Sequence, residues 1–148
     1  MKIKRLRTPR IISERFVRRA VINYLARKGW DRGLREKETA EHGVDIKVRH
    51  NMYARYFFIE TKGESSSKSA KSVRETAFVY SLGQIITRMN ARNARYYYGI
   101  GLPELAAKIA IRRIPWQIAK KLLLYVFSVQ SNGKVKQYSW KELKRNQT

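Results

Sequence analysis

Apolar and polar positions along the chain switch between helical and strand-like spacing. Apolar residues between Phe16 and Leu25 recur every three or four positions, and Ser13 can cap a helix that runs to about Lys28 and stops at Gly29. Residues 44–49 and 55–61 alternate or run apolar as strands do, with 50–54 between them. The first third of the chain therefore predicts a helix followed by a pair of strands.

The rest of the chain continues this alternation without an internal repeat. The further predicted elements are a short edge strand at 34–38, a Ser- and Lys-rich loop at 63–69, a long helix at 70–90, a strand at 95–100, helices at 104–113 and 116–121, a buried strand at 122–129, a hairpin turn at 131–133 and a last strand at 134–140. The order αβββαβαββ predicts an α/β fold, a mixed sheet flanked by helices. We expect a basic arm at 1–12 and a single domain at 13–148.

The net charge of the chain indicates what kind of partner it binds. The chain of 148 residues has 33 Lys and Arg against 11 Asp and Glu, a formal net charge of +22. This imbalance favours a polyanion, and nucleic acid before an anionic membrane, because no single helix is both basic and strongly amphipathic. The alternative is a surface that is merely solubilising. No apolar run is long enough to span a bilayer, and the basic N-terminal stretch lacks the apolar part of a secretion signal, so we expect a cytoplasmic protein associated with DNA.

Two carboxylates are predicted to meet on the strands at 44–49 and 55–61. If these strands form a symmetric hairpin, Arg49 pairs with Tyr56, Lys47 with Phe58, and Asp45 with Glu60. Cross-strand partners lie about 5 Å apart on one face. Because side chains alternate along a strand, Lys62 shares the face of Glu60.

Such a pair of carboxylates is costly unless something relieves the repulsion between them. A hard divalent cation does so, and Mg²⁺ binds few protein oxygens while keeping waters for a substrate phosphate. The amine of Lys62 can orient the attacking water. Asp45, Glu60 and Lys62 therefore predict a Mg²⁺ site for phosphodiester hydrolysis, in which Mn²⁺ can substitute.

Gly43-Val44-Asp45 followed by Glu60-Thr61-Lys62 resembles the split acidic motif of the PD-(D/E)XK nuclease superfamily, with Gly-Val-Asp where the motif has Pro-Asp. The resemblance implies a restriction-endonuclease-like αβββαβ core, matched in order by residues 13–102, with an extra C-terminal helix and β-hairpin. It also implies that Asp45, Glu60 and the Thr61 carbonyl bind Mg²⁺ and that Lys62 orients the water.

The same resemblance suggests supporting residues. A Glu on the first helix points to Glu14, and a Gln on the helix after the third strand points to Gln84. Independently of the family, Glu14 continues the apolar stripe of its helix, and Gln84 shares a face with other inward positions. The implied function is a Mg²⁺-dependent DNA endonuclease, and small members of the family often form homodimers. No recognition helix or zinc finger is evident in the sequence, so we expect binding to follow DNA shape more than sequence. Phosphate contacts are expected from Lys4, Arg5, Arg7, Arg10, Lys68 and Lys71.

Each of these residues also has an ordinary structural explanation. Glu14 can favour the positive end of its helix, Gln84 can be a solvated helix residue, and Glu60 with Lys62 can be a solvated strand face. Trp116 and Trp140 are interpreted as packing residues. A second function is therefore kept, a non-catalytic nucleic-acid-binding protein with an inactive nuclease-like fold. The joint pattern of spacing, strand order and inward polar positions favours the metal-dependent nuclease.

Overall fold

The computed structural model describes residues 11–32, 45–64, 70–89 and 95–148. It shows an α/β fold in which helices flank a mixed, open sheet. The described elements are α1 (Glu14–Arg27), β1 (Ile46–Arg49), β2 (Tyr56–Thr61), α2 (Ala70–Thr87), β3 (Tyr96–Pro103), α3 (Glu104–Arg113), α4 (Trp116–Leu122), β4 (Leu124–Val129), β5 (Val135–Tyr138) and α5 (Trp140–Gln147).

The sheet keeps the order of the chain, β1-β2-β3-β4-β5. Its centre is parallel, because β2 pairs with β3 and β3 with β4 through helical crossovers, whereas both ends are closed by antiparallel pairs. The two crossovers advance in the same direction, and right-handed connections therefore place α2, α3 and α4 on one face of the sheet. The α1 helix covers the other face, so the sheet separates two apolar clusters.

Those two clusters follow from the alternation of side chains on the strands. Phe57 and Ile59 of β2 pack with Val17 and Val21 of α1, whereas Ile100 of β3 belongs to the opposite cluster beneath α2 and α3. The parallel strand β4 is buried along almost its whole length, as expected for a strand covered on both faces. The sheet is thus the common core of both layers.

Helix ends agree with local capping chemistry. The Ser13 hydroxyl accepts a hydrogen bond from the Phe16 backbone N–H at 3.1 Å, as predicted for the start of α1. Leu123 adopts a left-handed conformation (φ 53°) that ends α4. The strand predicted from residue 122 therefore starts at Leu124, because Leu122 is still helical.

Other predicted boundaries also need correction. The strand expected to end at residue 100 runs on to Pro103, since Gly101 pairs with both neighbouring strands instead of closing the element. The last strand ends at Tyr138 and not at Trp140, because Ser139 and Glu142 form a capping box that starts α5. The α2 helix ends at Thr87, short of the predicted residue 90.

Two predicted features lie partly or wholly outside the described residues. The edge strand expected at 34–38 lies wholly outside them. Arg32, the last described residue before that range, forms an antiparallel bridge with Arg49 on the outer side of β1. Of the basic arm, only Ile11 and Ile12 are described, and Ile12 is buried in the cluster beneath α1. In the part of the chain that the structure covers, no helix has both the length and the apolar content needed to cross a bilayer.

Substitution of Gly99 on β3 tests how tightly this strand packs against the Phe127 ring and Ile59. A Cβ there would lie 2.7 Å from the Phe127 ring, which is fully buried, and 3.2 Å from Ile59. We expect Gly99→Ala to lower the free energy of unfolding by about 1–3 kcal/mol through overpacking, measured by urea denaturation. Gly83→Ala on α2 is the control, because a Cβ there meets nothing within 4 Å and should be neutral or stabilise the helix by up to about 1 kcal/mol. Equal losses in both variants would contradict this packing.

Candidate active site

The hairpin predicted from the sequence is present in the predicted register. Lys47 pairs with Phe58 and Arg49 with Tyr56, and the last described pair is Ile46 with Ile59. One step further along the same register, Asp45 lies opposite Glu60. The two carboxyl groups lie within hydrogen-bond reach of each other at the end of β2.

Asp45 is held by the backbone of β2. Its Oδ2 accepts a hydrogen bond from the Thr61 N–H at 2.8 Å and a second from the Thr61 hydroxyl at 3.2 Å. The side chain takes the place of a ladder partner there, because β1 begins only at Ile46. In a strand the N–H and C=O of one residue point to the same edge, so the Thr61 carbonyl also faces the side of Asp45.

Glu60 is the most buried carboxyl of the site, with a relative exposure of 2%. Burial, followed by the negative charge of Asp45, raises the pKa of Glu60 to about 7, and the hydrogen bond from Arg88 acts in the opposite direction. The Arg88 Nε donates to Oε1 of Glu60 at 2.9 Å. At neutral pH, Glu60 is therefore poised between a protonated form that hydrogen-bonds to Asp45 and an ionised form paired with Arg88.

Glu14 adds a third carboxyl from the first turn of α1. Burial raises its pKa, as do the charge of Asp45 and a hydrogen bond between the two side chains, while Lys62 and Arg18 lower it. The sequence led us to expect that Glu14 points roughly inward from its helix, and the structure places it beside Asp45 and Lys62. Glu14 is not a simple solvated cap residue.

A glycine lets α1 approach the end of β2 this closely. A Cβ on Gly63 would lie 2.2 Å from the Glu14 backbone nitrogen and 2.8 Å from the Ile12 carbonyl oxygen. The Glu64 N–H donates to that same carbonyl at 2.7 Å. The chain just after Lys62 is thus packed directly against the start of α1, and only glycine fits.

Lys62 and Gln84 are placed by α2. The Lys62 Nζ lies 4.8 Å from the centre of the Tyr80 ring, which supports the ammonium group beside the carboxyls. The Gln84 Oε1 is buried and has no hydrogen-bond partner among the described residues. It lies one turn before Arg88 and lines, with Tyr80, an open groove of about 710 Å³ on α2. A buried amide oxygen without a donor costs about 1–3 kcal/mol, so a bound donor there would be stabilising.

The donor set fits Mg²⁺ better than a metal that requires a protein cage. Across the residues described, no group of three or more His, Cys, Asp and Glu side chains is arranged to hold a metal ion. Mg²⁺ does not need such a group, because it is commonly bound by one or two carboxylates, waters and substrate phosphates. Asp45 and Glu60, with the Thr61 carbonyl, are the oxygens that would hold it.

The expected phosphate-binding residues are described only in part. Lys71 is exposed in the first turn of α2, whereas Lys4, Arg5, Arg7, Arg10 and Lys68 lie outside the described residues. Sequence reasoning missed Arg88, although it follows Gln84 by four residues and therefore shares its helix face. In a chain so rich in Arg, that spacing alone did not distinguish it.

No protein-family model matches the chain, and no curated protein or solved structure matches it either. The inference of function therefore depends on the side chains that converge at the end of β2.

The raised pKa of Glu60 predicts a pH-dependent stability. The folded protein binds the Glu60 proton more tightly than the unfolded chain, so this contribution is fully present below about pH 4.5 and is lost as the pH rises through about 7. Without divalent ions, we expect the free energy of unfolding to fall by about 3 kcal/mol over that range. Urea denaturation at a series of pH values measures it.

Glu60→Gln should flatten that profile, because a neutral amide has no proton to lose. Glu75→Gln is the matched control. Glu75 lies on α2 and pairs with Arg113 in a half-exposed ion pair, so its substitution should leave the profile unchanged. A profile that stays equally steep in Glu60→Gln would show that another group is responsible.

Proposed function

We propose that this protein is a Mg²⁺-dependent DNA endonuclease that hydrolyses phosphodiester bonds at the end of β2. The observation that carries the proposal is the convergence of Glu14, Asp45 and Glu60, with Lys62 beside them. Asp45 interacts with both Glu14 and Glu60, and such a group of carboxyls is expensive to maintain without a cation, even in a chain of net charge +22. A divalent ion offsets that cost and suits a phosphate substrate.

Each residue has a distinct role in this proposal. Asp45 and Glu60, with the Thr61 carbonyl, would hold Mg²⁺, which when bound supplies a Lewis acid and a water of lowered pKa. Thr61 orients Asp45 through its N–H and hydroxyl, as the 2.8 and 3.2 Å hydrogen bonds show. Lys62 orients the attacking water and stabilises negative charge that develops on the phosphate.

Three further residues support the site. Glu14 supports the site from the side of α1, where burial and the charge of Asp45 raise its pKa and so favour its holding a proton. Arg88 keeps Glu60 oriented through Oε1, which leaves the other carboxylate oxygen for the cation. The buried Gln84 oxygen would accept a hydrogen bond from a water or substrate group that enters the groove.

The proposed family is the PD-(D/E)XK superfamily with its restriction-endonuclease-like core. Helix α1, the β1–β2 hairpin, α2 and β3 follow in the order that this core requires, with the expected first strand at 34–38 outside the described residues. Among the described residues, Arg32 forms an antiparallel bridge with Arg49 on the outer side of β1. The acidic pair lies on the second and third strands of that scheme.

DNA is the proposed substrate because its backbone matches the charge of the chain. Contacts from lysines and arginines to phosphates are independent of sequence, so we propose recognition by the shape of the DNA. Cleavage of both strands would require a second site, which a homodimer would provide.

One observation favours a second function, a nucleic-acid-binding protein without catalysis. The Arg88–Glu60 ion pair neutralises a carboxylate that the nuclease needs for its metal. If that pair keeps both Glu60 oxygens from binding Mg²⁺, Asp45 alone is too weak a ligand set, and the protein would bind DNA without cutting it.

Cleavage assays separate the two functions. We expect the purified protein to cut plasmid, flap or four-way-junction DNA with Mg²⁺ or Mn²⁺ and not with EDTA. Asp45→Asn should abolish cleavage while DNA binding is kept or improved, because a negative charge near phosphate is removed. Lys62→Ala should slow cleavage by about 10²- to 10⁴-fold.

Matched controls are Asp31→Asn and Lys108→Ala, which change an exposed loop Asp and an exposed α3 Lys and should keep full activity. Absence of Mg²⁺-dependent cleavage on every DNA tested, with tight binding retained, would favour the second function.

Metal binding can be measured without activity. Mg²⁺ stabilises the folded state by mass action and binds ionised carboxylates, so it should raise the melting temperature at pH 8 and have little effect at pH 5.5. Calorimetric scans of wild type, Asp45→Asn and Asp31→Asn measure this difference. The shift should vanish in Asp45→Asn and persist in Asp31→Asn, and an equal shift in all three would contradict a site at Asp45.

A further inference from the structure

Two tryptophans, interpreted from the sequence as packing residues, form a stacked pair on helices near β5, the edge strand opposite β1. Trp116 begins α4 and Trp140 begins α5. Their ring centres lie 5.9 Å apart with an angle of 29° between the planes. Both rings pack partly against the cluster beneath α3, and each remains half-exposed.

Three lysines lie over these rings. The Lys120 Nζ lies 4.6 Å and the Lys141 Nζ 5.8 Å from the centre of the Trp140 ring, and the Lys144 Nζ lies 4.8 Å from that of Trp116. All three lysines are exposed. We call Trp116, Trp140, Lys120, Lys141 and Lys144 the Trp–lysine cluster.

The surroundings of the cluster add positive charge and almost no negative charge. Lys121 of α4, Lys136 of β5 and Arg145 of α5 are also exposed. Glu142 is the one acidic residue within α4, β5 and α5, and its carboxylate is engaged by Ser139 in the capping box of α5. Six cationic side chains on three adjacent elements thus face a single carboxylate from those elements, that of Glu142, which interacts with Arg145.

Indole rings explain how the lysines can be gathered at all. An ammonium over an aromatic face is stabilised by the ring, which offsets part of the repulsion among the three cations. The rings also restrict the lysine side chains, so less conformational freedom is lost when an anion binds. The arrangement is that of a preorganised cationic surface.

We propose that the Trp–lysine cluster is a second nucleic-acid surface, which binds the phosphate backbone of DNA outside the candidate active site. Several regularly spaced phosphates match several neighbouring ammonium groups, and binding releases counterions from the DNA. A membrane is the less favoured anionic partner, because the indole rings are packed on the core and covered by ammonium groups, whereas anchoring in a bilayer needs an apolar face that can enter it.

The cluster lies towards the β5 edge of the sheet. Helix α5 packs on α3 and β5, and β5 is three strands from β2 in the sheet. With strands about 4.8 Å apart, the lateral separation between β2 and β5 is about 15 Å. The cluster itself does not depend on the nuclease proposal.

The test measures DNA affinity of the full chain in EDTA, where no cleavage occurs. Lys120→Ala/Lys141→Ala/Lys144→Ala should weaken binding of labelled DNA by tenfold or more near 0.15 M salt, and should lower the slope of log K against log salt by about 2–3. The charge-matched control Lys28→Ala/Lys108→Ala/Lys134→Ala removes three exposed lysines elsewhere and should change both quantities far less. The triple Lys→Arg variant of the cluster should retain wild-type binding, and circular dichroism checks that every variant is folded.

Tryptophan emission gives an independent local readout. Trp30 packs against Phe57 and His50 on the α1 side, so Trp30→Phe leaves the stacked pair as the only source of tryptophan emission. In that background, DNA should shift or quench the emission as it saturates.

Three results would overturn the proposal. The first is an equal loss of DNA affinity in the two triple Lys→Ala variants. The second is unchanged tryptophan emission of the stacked pair while fluorescence anisotropy shows that DNA is bound. The third is binding to phosphatidylserine vesicles that depends on the cluster lysines, when the same substitutions leave DNA binding unchanged. Loss of cleavage in Asp45→Asn with the cluster effect intact would leave this inference standing, so it and the nuclease proposal fail separately.

Discussion

Close contact between Asp45 and Glu60 in a buried strand end is the interaction on which the rest of the site depends. Two ionised carboxylates there would repel strongly, because the medium is less polar than water. The fold offsets this in three ways: Arg88 donates to Glu60, the Thr61 N–H and hydroxyl donate to Asp45, and Glu60 retains a proton up to about neutral pH. In the proposed nuclease, a metal cation would take the place of the proton that Glu60 retains.

The sheet produces this contact through backbone features near its edge. Because β1 starts one residue after Asp45, the Thr61 N–H has no ladder partner from β1 and takes the carboxylate instead. Gly63 then allows the start of α1 to pack against the chain, which brings Glu14 to the same place. A larger residue at 63 would push α1 away and separate the third carboxyl from the pair. The site is therefore built from strand ends and a helix start, where backbone groups are still free to bind.

The sequence was sufficient for features that depend on local pattern and insufficient for those set by distant contacts. The hairpin register of Lys47 and Arg49 follows from alternation and a symmetric loop, and the structure confirms it. Arg88 could not be predicted, because it reaches Glu60 across 28 positions by a long side chain whose direction is set by the packing of α2. The start of α5 was missed because an apolar Trp140 after an alternating segment resembles a strand, although the Ser139–Glu142 capping box was present in the sequence.

The distribution of acids favours catalysis over simple binding. Only 11 acidic residues occur in the chain, yet Asp45 interacts with two others, Glu14 and Glu60, at the end of β2. For a protein that only binds DNA, carboxylates beside the phosphate path would weaken affinity, and burying them would cost stability as well. Both costs disappear when a divalent cation lies between carboxylate and phosphate, because the cation is attracted to each. The Trp–lysine cluster, proposed for affinity alone, differs in this respect: the neighbouring acid, Glu142, is bound in the cap of α5, and the lysines of the cluster are exposed.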